Sequence, residues 1–244
     1  MDGIDFRVNR LFRNGTLLLA ALDHGQYVGV PEGLADPVRF IAAIDSLPFD
    51  GYILNAGLAR TIGRLDPAKS LILRITHAGT RFSETGALNR CFLHPEDALR
   101  LGADAVISMV VLGHGDDVAA MHELAEAVCE YHRFGIPLIA EMLPADPKLS
   151  PSPRAIADLS RIGAEVGADV IKTCMTEDFA SVVGGCPVPI IIAGGSREKD
   201  FVSTVRKALL GGAKGVAMGR NLYQHEDPPA LIRDVVGAMG RPRP

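Results

Sequence analysis

Charged and polar residues recur where short apolar runs stop, and Lys172 is the most informative of them. In Ala168-Asp169-Val170-Ile171-Lys172-Thr173 an ammonium stands at the inner end of an otherwise apolar run. Burying it is costly, and desolvation favours the neutral amine, the form that attacks a carbonyl to give an imine. The pattern also fits a lysine that snorkels to solvent or pairs with Asp23 or Glu141. Asp23 opens the segment Asp23-His24-Gly25 after the first run, where it can accept a substrate hydroxyl proton or simply cap a loop. Glu141 lies inside the fifth run; regular alternation points it inward, where a carboxylate among Leu, Ile and Ala must be paired or used.

Two glycine segments supply the other half of a site. Ile192-Ala193-Gly194-Gly195-Ser196 and Ala217-Met218-Gly219-Arg220-Asn221 offer backbone amides unshielded by side chains, and Arg220 adds a forked cation. Amides of this kind hold phosphate, so Gly194, Gly195, Ser196, Gly219 and Arg220 are expected to bind a phosphate monoester. His24 and His77, at the ends of the first and third runs, are candidate substrate contacts. His24, His77, His94 and His114 come from separate segments without His-x-His or His-x-x-x-His spacing, so no metal site and no cofactor are expected.

The elements that must position these residues alternate along the whole chain. Eight apolar runs, Thr16 to Leu22, Gly51 to Leu54, Leu71 to Thr76, Ala105 to Leu112, Pro137 to Leu143, Val170 to Thr173, Val188 to Ala193 and Gly215 to Met218, read as buried parallel strands. Helical periodicity is clearest in Asp116 to Arg133 and recurs in Ala155 to Val166, Lys199 to Leu210 and Pro229 to Met239. Leu101-Gly102-Ala103-Asp104, Val166-Gly167-Ala168-Asp169 and Gly211-Gly212-Ala213-Lys214 each read as a helix end followed at once by a strand. A doubly wound open sheet also alternates, but eight strands in 244 residues without a linker predict one (β/α)8 barrel domain over 1–244. The long connections Arg81 to Leu99 and Pro144 to Pro153 are the loops expected to carry function, and His225-Glu226-Asp227-Pro228 the cap of the last helix.

A formal net charge of −4, with no basic stripe, argues against nucleic acid as a partner. No apolar stretch approaches the roughly 18 residues of a membrane span, and Met1 to Arg13 lacks an apolar signal core, so no membrane association and a cytoplasmic location are expected. Four scattered cysteines without a Cys-x-x-Cys pair suit a reducing compartment.

Taken in order, Leu22-Asp23-His24-Gly25 with Gly33-Leu34, Ala168 to Thr173, Cys186-Pro187-Val188-Pro189, Ala193 to Ser196, and Gly215 to Asn221 with Gln224 to Pro228 make the chain resemble the DeoC/LacD-type class I aldolases. The likeness is greatest to the archaeal-type fructose-bisphosphate aldolases and 2-amino-3,7-dideoxy-heptulosonate synthases. It implies a Schiff base at Lys172, a catalytic Asp23, a phosphorylated sugar or keto substrate held by the glycine segments, and a homo-oligomer, often a decamer in the family. Those enzymes carry an acid/base tyrosine after the fifth strand, where this chain has Glu141-Met142-Leu143-Pro144. Leu143 moves no proton, so the resemblance, closest here to the tagatose-bisphosphate aldolase branch, implies proton transfer by Glu141. A transaldol or acyl transferase of the heptulosonate synthase or autoinducer thiolase type, and a non-catalytic phosphate-ligand sensor, are the alternative readings.

Overall fold

A computed structural model describes residues 2–77, 79–82 and 89–241. The described residues contain eight parallel strands: β1 (Leu17–Ala21), β2 (Gly51–Asn55), β3 (Ser70–Arg74), β6 (Ala105–Leu112), β7 (Leu138–Pro144), β8 (Val170–Thr173), β9 (Ile190–Ala193) and β10 (Gly215–Met218). They close into a barrel in the order β1-β10-β9-β8-β7-β6-β3-β2. A two-stranded antiparallel hairpin, β4 (Thr76–His77) with β5 (Arg90–Cys91), sits above β3. The eight expected strands are all present, with ends moved by no more than two residues.

Side chains alternate across a strand, so residues two apart share a face. Leu17, Leu19, Ile53, Ile72, Ile107, Ile139, Val170, Ile191 and Ala217 form a buried cluster inside the barrel, separate from the larger layer between strands and helices. Two residues beyond Ala21, Ile53, Ile72, Ile139 and Val170 on the same inward faces stand Asp23, Asn55, Arg74, Glu141 and Lys172. The apolar plug therefore ends in a polar layer at the C-terminal mouth, where barrels of this kind place their chemistry. Register brings Asn55 beside Arg74 and Glu141 beside Lys172.

The opposite end is sealed by α1 (Gly3–Leu11), whose Leu11 enters the barrel cluster. Asp2 caps this helix by accepting the amides of Ile4 and Asp5. Long helices cover the outside: α6 (Asp117–His132), α7 (Pro153–Val166), α9 (Phe201–Leu210) and α11 (Pro228–Ala238), the last capped by Asp227 as the sequence predicts. Gly102, Gly167 and Gly212 all have positive φ (82°, 118° and 96°), so the three predicted helix ends are left-handed glycine turns. Shorter helices that periodicity does not resolve are α2 (Gly25–Val28), α3 (Pro37–Ile44), α4 (Ala56–Thr61), α5 (Pro95–Arg100), α8 (Phe179–Gly184) and α10 (Arg220–Tyr223). The Arg81 to Leu99 connection contains β5 and most of α5, while 83–88 lies outside the described residues. Pro144 to Pro153 folds over the mouth as a 3-10 turn, Pro147–Leu149, with the Lys148 amide donating to Asp146. No helix among the described residues is long and apolar enough to cross a membrane.

One device repeats at the sealed end. Asp50, Asp104 and Asp169 each precede a strand (β2, β6, β8), and each grips one residue of the strand before it. Their amides donate to the carbonyls of Leu18, Leu71 and Leu138 at 2.8, 2.9 and 3.0 Å. Their carboxylates accept the amides of the same three residues at 2.6, 3.0 and 2.7 Å. Lys214 holds this place before β10, where its amide donates to the Ile190 carbonyl without a carboxylate to add the second bond. Asp50 additionally receives Arg241 at 2.8 Å and Asn14 at 2.9 Å. Asp50→Ala removes the carboxylate that holds the Leu18 amide and the half-buried Arg241, and is expected to cost about 2 kcal/mol in urea unfolding; a loss below about 0.5 kcal/mol would show that the grip adds nothing.

Candidate active site

At the mouth, two cations and two carboxylates are packed into one buried network. Arg74, at the end of β3, is 2% exposed, while Asp23, Glu141 and Lys172 are each 5–6% exposed. Its Nε and Nη2 reach the same Asp23 oxygen, at 2.8 and 2.7 Å, and Nη2 also donates to Glu141. The other oxygen of Glu141 accepts from the Lys172 ammonium. Arg74 Nη1 is buried and has no hydrogen-bond partner among the described residues. Lys172 is thus half of an ion pair, one of the readings its strand left open, with the carboxylate supplied by the adjacent strand.

The electrostatics follow from these contacts. Burial pushes the Glu141 carboxyl up, but Lys172 and Arg74 outweigh it and hold it at about 2. For Asp23 burial likewise opposes ionisation, and Arg74 followed by His24 and Lys172 keeps the group below the usual carboxylate range. Both carboxylates therefore stay ionised at neutral pH. His24 is driven down chiefly by burial, against the pull of Asp23, and is neutral. Tyr27, on α2 over the mouth, is pushed up to about 12 by burial and then by the charges of Asp23 and Glu141, so its phenol keeps its proton.

The two glycine segments meet beside this network. Buried Asn221 donates to the carbonyls of Gly194 (2.6 Å) and Ser196 (3.0 Å) and accepts the Glu198 amide (2.7 Å), stapling the loop after β9 to α10. Arg220 adds a bond from Nε to the Gly195 carbonyl at 3.1 Å. The amides of Gly195, Ser196 and Arg220 donate to nothing among the described residues. A Cβ on Gly219 would lie 2.5 Å from His24 Cε1, so only glycine lets that ring lie across the end of β10. His24 packs edge-on to Tyr223, with Nδ1 3.8 Å from Asp23.

Of the residues named from sequence, Lys172, Asp23, Glu141 and His24 come together, and Gly194, Gly195, Ser196, Gly219 and Arg220 form the adjoining rim. His77 stands apart: it is exposed on the hairpin, its ring 3.8 Å from that of Phe92, with no hydrogen bond to the charged network among the described residues. Sequence reasoning missed Arg74, Tyr27 and Asn221. Arg74 did leave a signal, an arginine in phase with Ile72 inside an apolar run.

A family model described as DeoC/LacD family aldolase matches residues 17–225. An uncharacterized aldolase of Saccharolobus solfataricus is 32% identical over 96% of this chain and 93% of its own. The 2-amino-3,7-dideoxy-D-threo-hept-6-ulosonate synthase 1 of Archaeoglobus fulgidus is 30% identical over 93% of this chain and 87% of its own. Among solved structures, an archaeal fructose-1,6-bisphosphate aldolase, with its catalytic lysine covalently bound to the carbinolamine intermediate of the substrate, superposes with a TM-score of 0.86. It is 27% identical and covers 95% of this chain and 98% of its own.

The charge network makes stability depend on acid. A carboxyl ordinarily at 4.5 and held at about 2 in the fold contributes fully above about pH 4.5, and the contribution is lost as pH falls through 2. The urea midpoint is expected to drop between pH 5 and pH 3, and Glu141→Gln to flatten that slope; identical slopes would show that this carboxyl is not held down.

Proposed function

The chain belongs to the DeoC/LacD aldolase family and is a class I aldolase, and from this premise we propose that Lys172 is its imine-forming amine and a phosphorylated ketose its substrate. The observation that carries the reading is the buried contact of Lys172 with Glu141 at the closed end of the mouth, beside an unpartnered Arg74 donor. Before attack the ammonium must shed a proton, and Glu141 is positioned to take it. The amine then adds to the carbonyl; Glu141 returns that proton to the carbinolamine hydroxyl, which leaves as water, and an iminium remains. Cleavage breaks the adjoining C–C bond. Its electron pair enters the iminium to give an enamine, Asp23 takes the hydroxyl proton, and the aldehyde half departs. Arg74 Nη1 faces the oxygen on which charge collects.

Protonating the enamine carbon needs an acid. We assign this step to Tyr27, whose phenol keeps its proton, in place of Glu141 alone, and Asp23 then returns the hydroxyl proton it took to the Tyr27 oxygen. Phosphate is assigned to the free amides of Gly195, Ser196 and Arg220 with the Arg220 side chain, and Asn221 is the residue that keeps their loop in shape. Free thiols at all four cysteines support placing the enzyme in the cytoplasm.

Borohydride with dihydroxyacetone phosphate is expected to leave a reduced adduct on Lys172, located by peptide mass; an adduct on another lysine, or none, would overturn the assignment. Tyr27→Phe is expected to keep that adduct while slowing exchange of the donor's C3 proton into deuterated water at least tenfold. Unchanged exchange would return the proton to a carboxylate.

A further inference from the structure

Asp23 enters the charged network through one oxygen. Arg74 Nε and Nη2 both reach Oδ2, at 2.8 and 2.7 Å, and nothing among the described residues donates to Oδ1. His24 Nδ1 stands 3.8 Å from Oδ1, and this nitrogen is itself buried without a hydrogen-bond partner. Shape holds the ring there. A Cβ on Gly219 would lie 2.5 Å from Cε1 and 3.1 Å from Nε2; Tyr223 meets the ring edge-on with centroids 5.5 Å apart, and Tyr27 tilts toward it at 6.0 Å. Nδ1 therefore faces Asp23, while the edge that carries Nε2 lies against Gly219, the residue before the free Arg220 amide.

A neutral imidazole carries one proton, and its neighbours decide which nitrogen keeps it. Ionised Asp23 favours the proton on Nδ1, which turns the lone pair of Nε2 toward the loops assigned to phosphate. Among the other groups that face the ring, Glu141 joins Asp23 in favouring a second proton, and Lys172 and Arg220 oppose it. The phenols of Tyr27 and Tyr223 keep their protons, and Arg74 is engaged with the other oxygen of Asp23. Burial weighs most, so the ring stays neutral. A phosphate dianion on the amides of Gly195, Ser196 and Arg220 changes this balance. It brings negative charge to the side of the Nε2 lone pair, and a proton on Nε2 turns that repulsion into a charge-assisted hydrogen bond.

We infer that His24 couples the substrate's phosphate to Asp23: neutral with its proton on Nδ1 in the free protein, it takes a second proton from solvent at Nε2 when a phosphate dianion binds, and as imidazolium donates to phosphate on one side and to Asp23 Oδ1 on the other. The proton returns to solvent when the phosphate leaves. Closing the 3.8 Å gap to hydrogen-bond length orients Asp23 only when a phosphorylated substrate is in place, and makes Oδ1 the oxygen that receives the substrate's hydroxyl proton. The inference rests on the assignment of the phosphate loops and of Lys172 made above.

Glycerol 1-phosphate carries the dianion but no carbonyl for Lys172, and is the probe. Nitrogen-15 spectra of the imidazoles, assigned by comparison with His24→Gln, are expected to show the Nδ1–H tautomer of His24 in the free protein at about pH 7.5 and an imidazolium at saturating probe. Uptake of one proton on binding makes the Kd for the probe rise about tenfold per pH unit between about pH 7 and 8.5. His24→Gln and His24→Asn, neither of which titrates, are expected to flatten that slope. An Nε2–H tautomer in the free protein, a ring that stays neutral in the complex, or a slope that survives in both variants overturns the inference, while borohydride trapping of dihydroxyacetone phosphate on Lys172 leaves the aldolase assignment standing. If the probe does not bind, the phosphate assignment falls together with the inference.

Discussion

Four ionised side chains, taken out of water at the top of an apolar barrel, have to neutralise one another, and this requirement organises the mouth. Arg74 is shared between Asp23 and Glu141, and Glu141 between Arg74 and Lys172. Two positive and two negative groups leave no net charge in a region where an isolated ion would be prohibitively expensive. Deleting one member does more than remove a contact, because it leaves its partner as an uncompensated buried charge. The apolar layers below contribute by excluding water, and the gripping aspartates at the opposite end keep the strands in the register that brings Glu141 beside Lys172.

This balance also decides how protons move. A carboxylate held near 2 is a weak base in isolation, yet it is the group in contact with Lys172. Carboxylates kept ionised are good partners for cations, and the Tyr27 phenol beside the same charges keeps its proton. Tyr27 occurs on the helix after β1, far in sequence from Leu143, where the family's tyrosine would stand.

The sides of the mouth differ for a related reason. Loops after β9 and β10 present free amide hydrogens and a guanidinium, a surface that lacks only negative charge. Around β1 and β2 the side-chain amides of Gln26 and Asn55 instead spend hydrogens on the backbone carbonyls of Thr76 and Asp23.

Eight strands, the four longer helices and three of the glycine turns were legible in the sequence because alternation, helical spacing and left-handed turns are local properties of the chain. The positions of Asp23, Glu141 and Lys172 at the mouth followed from the same alternation. Arg74 was passed over because nothing local says what a lone arginine in an apolar strand will meet; its partners lie 51 and 67 residues away. For Lys172 the sequence left open an amine among apolar neighbours or a pair with Asp23 or Glu141, and the partner that closure supplies is Glu141, 31 residues earlier on the adjacent strand. By itself the sequence determined which residues turn inward and at what height. Closure of the barrel decided which of them touch, and hence that Asp23 and Glu141 stay ionised, because electrostatic energy depends on distances across the ring.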